Sequence, residues 1–330
     1  MSELKIGNVT LKNNVIIAPM AGISDAGFRK VLNDIAKPGL IFTEMVNARA
    51  IYYNDSKTIN MLKTYENENP IGYQLFGDDE KYVSYAAKYL SKYCDILDIN
   101  MGCPAPKVVK SGGGSELMKD LVKAESIIKA VVQNSTVPVT LKMRLGWDTN
   151  SINCLELAHI AEKNGIKAIT IHGRTRSQFF KGEATYDIIK KVKTKVSIPV
   201  IVNGDIDSLD KAKEVLEYTK ADGISIARAS LGKPYLIKEI VSGLDMIDSK
   251  DKELLKEVYN VSKITVDELI DLILKHLEIL EEQKGSQAYK EIRKHVIWYT
   301  QKVPNGKNVR MNVSKIVDKK SLLEVLELLK

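Results

Sequence analysis

Cysteine is scarce and unpaired in this sequence: Cys94, Cys103 and Cys154 are the three in 330 residues, and no two stand in a CxxC spacing. An odd set without that spacing argues against a disulfide framework and a structural zinc site, so each is read as a free thiol and no metal is expected. No apolar run approaches the roughly 20 residues needed to cross a bilayer. The N-terminus, MSELKIGNVT, lacks an apolar block behind a charged start. The protein is therefore expected in the cytoplasm, away from membranes. Walker and HExxH patterns are missing too. SGGGSE at 111–116 lacks the third glycine and the preceding strand of a dinucleotide fingerprint, which favours a mononucleotide over a tightly held dinucleotide.

What is present has the balance of a globular protein, 44% hydrophobic and 28% charged, so disorder and fibrous repeats are excluded. The length suggests two domains. The formal charge is +7, but it is unevenly spread: Lys284 to Lys320 holds ten basic and two acidic residues, and the other 293 positions together carry −1. A charge run is usually a solvated face. Concentrated to this degree, it makes a polyanion a reasonable partner.

From residue 15 to residue 244 the chain repeats one unit, a short β-branched apolar run, a polar or glycine loop, and an amphipathic stretch. The runs fall at 15–19, 40–46, 71–76, 96–101, 139–143, 168–171, 200–202 and 223–227, with helical stretches at 25–35, 78–92, 120–132, 152–163, 186–196 and 209–218. Several runs are apolar on successive residues, as in parallel strands covered on both faces. Eight βα units point to an α/β fold, a TIM (β/α)8 barrel, with a doubly wound open sheet as the alternative. Two short strands at 4–6 and 9–11 flank Gly7-Asn8 and are expected to cap the barrel floor. Beyond residue 250 the spacing becomes helical. Val266, Ile270, Ile273, Leu277 and Leu280 share one stripe, as do Ile292, Val296 and Tyr299, whose helix carries Lys290, Arg293 and Lys294 on another face. Residues 1–250 are thus read as a barrel domain and 251–330 as a small basic all-helical domain.

A TIM barrel places its chemistry in the loops after the strands. Those positions hold Pro19-Met20-Ala21, Glu44, Gln74, Asn100 with Cys103, Lys142 with Arg144, His172 with Arg174, Asn203-Gly204-Asp205 and Arg228. The loops after strands seven and eight, Asn203-Gly204-Asp205 and Ala227-Arg228-Ala229, suit a phosphate: glycine admits close backbone approach and arginine supplies a forked cation. A phosphorylated cofactor such as FMN fits there. Lys142 would otherwise point a lone charge into the barrel mouth, and an anionic ring edge would explain it. Gln74 and His172 are hydrogen-bonding candidates, with a structural histidine as the alternative. Cys103 is either a small buried residue or a proton donor, since a free thiol with a pKa of about 8.5 is mostly protonated at neutral pH.

The segments IIAPMAGISDAGFR, IGYQLFG, DILDINMGCPAPKVVKSGGGSELM, VTLKMRLGW, ITIHGRTRSQFFKG, IVNGDI and GKPY, with KEIRKHVIWY near the C-terminus, resemble the tRNA-dihydrouridine synthase family, most closely its B-type bacterial branch. The resemblance covers nearly the whole chain. It implies FMN-dependent, NADPH-driven reduction of selected tRNA uridines to 5,6-dihydrouridine, with hydride going to C6 and Cys103 giving the proton to C5. It implies FMN contacts from Pro19, Met20, Ala21, Gln74, Lys142, His172, Asn203, Gly204, Asp205, Ala227 and Arg228. Contact with the target base falls to Asn100 and Arg174, and tRNA phosphates to Lys290, Arg293 and Lys294, in a monomeric enzyme. Two positions depart from the family pattern. Ala227 replaces a glycine, and SGGGS replaces an Ala-Gly pair, which predicts a looser loop after Cys103. Two rival readings stay open: an FMN barrel reducing a free small molecule of the dihydroorotate or enoate type, and a tRNA-binding protein with an idle barrel.

Overall fold

A computed structural model of the protein describes residues 3–246 and 252–330; the expected domain boundary at 250/251 lies outside the described residues. The chain opens with an antiparallel hairpin, β1 (Leu4–Ile6) and β2 (Val9–Leu11). Eight parallel strands follow: β3 (Val15–Ile17), β4 (Leu40–Asn47), β5 (Ile71–Phe76), β6 (Ile96–Met101), β7 (Val139–Arg144), β8 (Ala168–His172), β9 (Val200–Asn203) and β10 (Gly223–Ile226). Pairing of β10 with β3 closes them into a barrel, so the open doubly wound sheet is excluded. Helices connect consecutive strands and cover the outside, burying residues such as Leu97, Ile99, Leu141, Met143, Ile169 and Ile171.

The inner face is built differently, and this difference positions the site. Leu4, Ile6 and Leu11 of the hairpin pack with Ile16, Leu40, Phe42, Ile96, Ala168 and Ile201 from the strand starts, so the floor is plugged and apolar. Further along, every second residue becomes polar: Asp98 and Asn100 on β6, Thr140 and Lys142 on β7, Thr170 and His172 on β8. Side chains two apart share a face of a strand, so these line the interior while their apolar neighbours face the helices. The strands are apolar outward and polar inward near the mouth, not apolar on both faces. That polar half is expensive to bury unless it is hydrogen-bonded throughout.

The C-terminal helices do not form a free-standing bundle. Helices Val266–Lys284 and Ala288–Tyr299 share an apolar cluster with Val31 of the first barrel helix, Ala26–Ile35, and with part of Tyr235. The helix at Pro234–Asp245, unassigned from the sequence, packs against that same barrel helix. An ion pair at 2.6 Å ties Lys284 to Asp25, the N-cap of Ala26–Ile35. Among the described residues, no helix is long and apolar enough to cross a membrane.

Candidate active site

A cavity of about 710 Å3 opens at the C-terminal end of the barrel. Such a size lies in the usual range for cofactor and small-ligand sites. Cys103, Asn100, Pro19, Met20, Ala21, Gln74, Lys142, His172, Asn203, Gly204, Asp205, Ala227 and Arg228 all line it.

Beneath the cavity runs a directional chain of hydrogen bonds. Thr140 Oγ1 and Gln74 Nε2 each donate to one oxygen of the buried Asp98 carboxylate at 2.6 Å. The Gln74 carbonyl then accepts from Asn100 Nδ2 at 2.7 Å, and the Asn100 carbonyl accepts from the N–H groups of Cys103 (2.8 Å) and Gly102 (3.1 Å). Every amide in this chain has one orientation, because a carboxylate only accepts and a backbone N–H only donates. Burial raises the Asp98 carboxyl to about 6, against the lowering pull of Gln74, Thr140 and Lys142. It therefore remains ionised at neutral pH.

The carbonyl side of the same loop is also held. Arg144, almost fully buried, donates to Gly102 O at 2.8 Å and to Thr175 O and Phe179 O from the next loop. Cys103 O accepts from Ser115 N (3.1 Å) and Ser115 Oγ (2.9 Å). A Cβ at Gly114, whose φ is +60°, would sit 2.8 Å from Cys103 O. SGGGS is thus a packed collar under the cysteine, which corrects the expectation of a looser loop: its glycines are required by close approach and positive φ. The backbone of Cys103 is fixed, and the residue lines the cavity. Burial pushes that thiol up from its usual value, against the Ala105 N–H and the charges of Arg144 and Lys142, so it stays protonated at neutral pH.

Lys142 donates to Asn203 Oδ1 at 3.2 Å, and among the described residues no carboxylate lies within ion-pair distance of its ammonium. Burial, reinforced by Arg144, lowers it to about 8 against Asp98 and Cys103. His172 Nε2 lies 3.3 Å from Arg174 Nη1. Because guanidinium can only donate, Nε2 accepts and the ring proton sits on Nδ1. Burial first, and then the surrounding Lys142, Arg144, Arg174 and Arg228 charges, keep this histidine neutral.

At the proposed phosphate turn, Gly204 has φ +122°, and a Cβ there would meet His172 Cδ2 at 3.0 Å. Asp205 follows with φ +51°. Arg174 holds it with two hydrogen bonds, 2.8 and 2.6 Å. Arg228 is the freer cation, 55% exposed, stacked over Phe180 at 4.6 Å and 3.8 Å from Asp205.

Comparison with known proteins agrees with this geometry. Residues 16–330 match the profile of a family described as dihydrouridine synthase (Dus). The chain is 43% identical to tRNA-dihydrouridine synthase B of Pasteurella multocida over 98% of its length and 95% of the relative's. It is 41% identical to the enzyme of the same name from Vibrio cholerae, over 98% of both chains. The chain belongs to the dihydrouridine synthase family. As a member it is a flavin-dependent oxidoreductase. Among solved structures, morphinone reductase superposes with a TM-score of 0.55 over 77% of this chain and 91% of that one, at 13% identity, a likeness of fold alone.

Within the family pattern, four expected substrate contacts lie outside the cavity lining. Arg174 is buried and spent on Asp205, Gly182 O and Lys181 O, so it shapes the Gly204–Asp205 turn from behind. Arg293 donates twice to Ile316 O, inside the helical region. Lys294 donates to Gly22 O at 2.9 Å and pairs with Glu291 at 2.8 Å. Lys290 alone of the four is exposed and without an ion pair among the described residues. Glu44 does not line the cavity either; it accepts from the N–H of Gly22, so the loop after β3 is gripped from the barrel by Glu44 and from the helical region by Lys294. Ala227 has φ −116° and ψ −101°: its φ is not in the left-handed region that calls for glycine, but the pair lies outside the main helical and extended regions. Sequence reasoning missed Asp98 and Thr140, and also Phe179 and Phe180 at the cavity rim. The adjacent aromatics after β8 were the available signal for the rim pair.

Proposed function

We propose that this protein reduces uridines in tRNA to 5,6-dihydrouridine, using FMN recharged by NADPH, with Cys103 giving the proton to uracil C5. The observation that carries the reading is the cavity: a protonated thiol held in a fixed loop, in one chamber with a half-buried lysine that has no ion pair among the described residues and a glycine turn beside arginine. The same features favour FMN as the cofactor. Among the described residues Lys142 has no carboxylate within ion-pair distance, and Gly204 and Arg228 form a cradle of the kind a single phosphate takes. The flavin, when bound, supplies hydride for uracil C6.

The protein's own residues do the rest. Lys142, neutral His172 and Gln74 would hold the isoalloxazine, and Arg228 with the turn at Gly204 would hold the phosphate. Asn100 fixes the Cys103 backbone, so the thiol delivers its proton to C5 from a set position. Phe179 and Phe180 shield the chamber from water on one side. The thiolate left behind lies near Lys142 and Arg144, whose charges favour it until solvent returns a proton.

The two-domain reading follows from this assignment, with the barrel as the catalytic part and the helical region as an RNA holder. Since Arg293 and Lys294 are engaged within the protein, phosphate contact there falls to Lys290, Lys302, Lys307, Lys315 and Lys320, all exposed and free of ion pairs among the described residues. Each neutralised phosphate should steepen the dependence of log affinity on log salt by about 0.7–0.9.

Lys142 also sets a pH signature. Its ammonium costs the folded protein stability below about pH 8, and that cost is relieved as the pH rises from 8 toward its ordinary value of 10.5. The anionic N1/O2 edge of a reduced flavin beside it would restore the charge, so binding of reduced FMN should take up a proton in that window and weaken as pH rises through it. Calorimetric titration in buffers of different ionisation enthalpy would measure the uptake. Lys142→Met should bind FMN weakly, with no pH dependence of this kind.

The functional reading itself is tested by colour. Purified protein should absorb in the visible as a flavoprotein, bleach with NADPH in the absence of oxygen, and recover on adding unmodified tRNA but not free uridine. Equal recovery with free uridine or an enoate would replace the RNA reading with the small-molecule one.

A further inference from the structure

Six of the chain's 14 tyrosines gather on one outer wall of the barrel. Tyr52 and Tyr53 end the helix Ala48–Tyr52 that follows β4, while Tyr82, Tyr85, Tyr89 and Tyr93 run along and just beyond the helix Glu80–Leu90 that follows β5. Spacings of three and four place Tyr82, Tyr85 and Tyr89 on one helical face, and Tyr93, past the helix end, continues the row. Tyr52 meets Tyr53, Tyr82 and Tyr85 edge-on at 5.1 Å, Tyr85 stacks on Tyr89 at 6.5 Å, and Tyr89 meets Tyr93 at 5.4 Å. Tyr82 and Tyr89 pack partly against the barrel core, while the outer rings are open. Tyr53, Tyr85 and Tyr93 are 62%, 45% and 55% exposed.

Cations interleave with the rings. Arg49 lies over Tyr53 and Tyr82, and Lys81 over Tyr52 and Tyr82, at 4.9–6.0 Å. Lys88 and Lys92 continue the row, both exposed. None of the four has a carboxylate within ion-pair distance among the described residues. The nearby acids Asp55 and Asp79 are turned to capping helix N-termini, leaving Glu80 at one end of the row. Exposed π-faces alternating with unpaired cations are what unpaired bases and their phosphates require together.

We propose that this tyrosine and lysine wall is a second RNA-binding surface, on which unpaired bases of the tRNA stack while Arg49, Lys81, Lys88 and Lys92 take phosphates. The proposal rests on the tRNA reading above and adds a contact away from the helical region. Position favours it. The wall starts at the barrel mouth, where β4 ends at Asn47, and occupies the sectors next to the helix Ala26–Ile35 on which the helical region docks. An RNA held across the mouth meets the helical region on one side and this wall on the other. A second copy of the chain is a poorer occupant, because a twofold contact would set the four unpaired cations against the same four.

The test uses the full-length protein and a tRNA transcript carrying 5-iodouridine, whose photocrosslinks need an aromatic ring against the base. Peptides crosslinked to RNA should include residues 49–53 and 81–93. The triple variant Tyr53→Ser, Tyr85→Ser, Tyr93→Ser should lose about 10- to 100-fold in tRNA affinity. Its flavin absorbance and its bleaching by NADPH should be unchanged, which shows that the barrel is intact. If the unaltered protein makes dihydrouridine but no crosslink maps to those segments and the variant binds tRNA normally, the wall is not an RNA surface. The same conclusion follows if the unaltered protein sediments as a dimer that the triple variant dissolves. Failure of the functional reading looks different, as no dihydrouridine forms with any variant, and the crosslinks still decide for or against the wall.

Discussion

Replacing Cys103 by alanine is expected to lower dihydrouridine formation by roughly 10²- to 10⁴-fold, the range for loss of a placed general acid. The flavin should stay bound, because Cys103 contributes its backbone to the loop and only its thiol to the chamber. Asn100 and Arg144 hold the flanking N–H and C=O groups whatever the side chain at 103. Hydride loss from the reduced flavin and proton delivery are thereby separated. The variant should bleach with NADPH at the normal rate and recover slowly with tRNA. A stopped-flow record of both phases measures this, and a normal second phase would remove Cys103 from the mechanism.

The next largest effect is expected one layer down, at Asp98. Asp98→Ala removes the acceptor for Gln74 Nε2 and Thr140 Oγ1 in a fully enclosed place and leaves a void, at a cost of about 2–4 kcal/mol in stability. Gln74 is then free to turn, Asn100 loses its fixed carbonyl direction, and the Cys103 loop loses its anchor. Misplacement of a reacting group by about 1 Å can cost on the order of 10²-fold in rate. Asp98→Asn should be far milder. Its carbonyl can still accept from Gln74, and the Thr140 hydroxyl can rotate to accept from the new amide. Thermal unfolding and turnover of the pair decide the matter, and equal damage from both substitutions would show that the chain of hydrogen bonds does not act through its direction.

These two residues also show what could be read from sequence. Cys103 stands out by its place just past a strand, in a loop stiffened by Pro104 and Pro106, although position alone fits a small buried residue as well as a proton donor. Asp98 was hidden inside a run taken as a buried strand, ILDINM, where the apolar outward residues dominate the pattern. The signal was there as a period of two, repeated in VTLKMR and AITIH, and it marks a polar inner face. The barrel itself was legible because eight βα units leave little choice of topology. The destinations of long cations were not. Arg174, Arg293 and Lys294 read as free charges in sequence, yet each is satisfied by a carboxylate or carbonyl brought in from a distant part of the chain. A packed collar was likewise unreadable in SGGGS, since glycine runs look alike whether they are loose or forced by close approach.

The grip on Gly22 gives the helical region a second consequence for the site. Lys284 and Lys294 reach across to Asp25 and to the loop whose residues Met20, Ala21 and Ile23 line the cavity. The helical region and the cavity wall therefore share a contact, so the position of one bears on the shape of the other.

The central claim is that this barrel adds two hydrogens across the C5–C6 bond of uridine within tRNA. Nucleoside mass spectrometry tests it most directly, after purified protein, NADPH and an unmodified tRNA transcript are incubated without oxygen in deuterated water. The account predicts dihydrouridine at discrete positions, carrying deuterium at C5 from the exchanged thiol. A transcript recovered with all its uridines unreduced, while the flavin turns over, would contradict it.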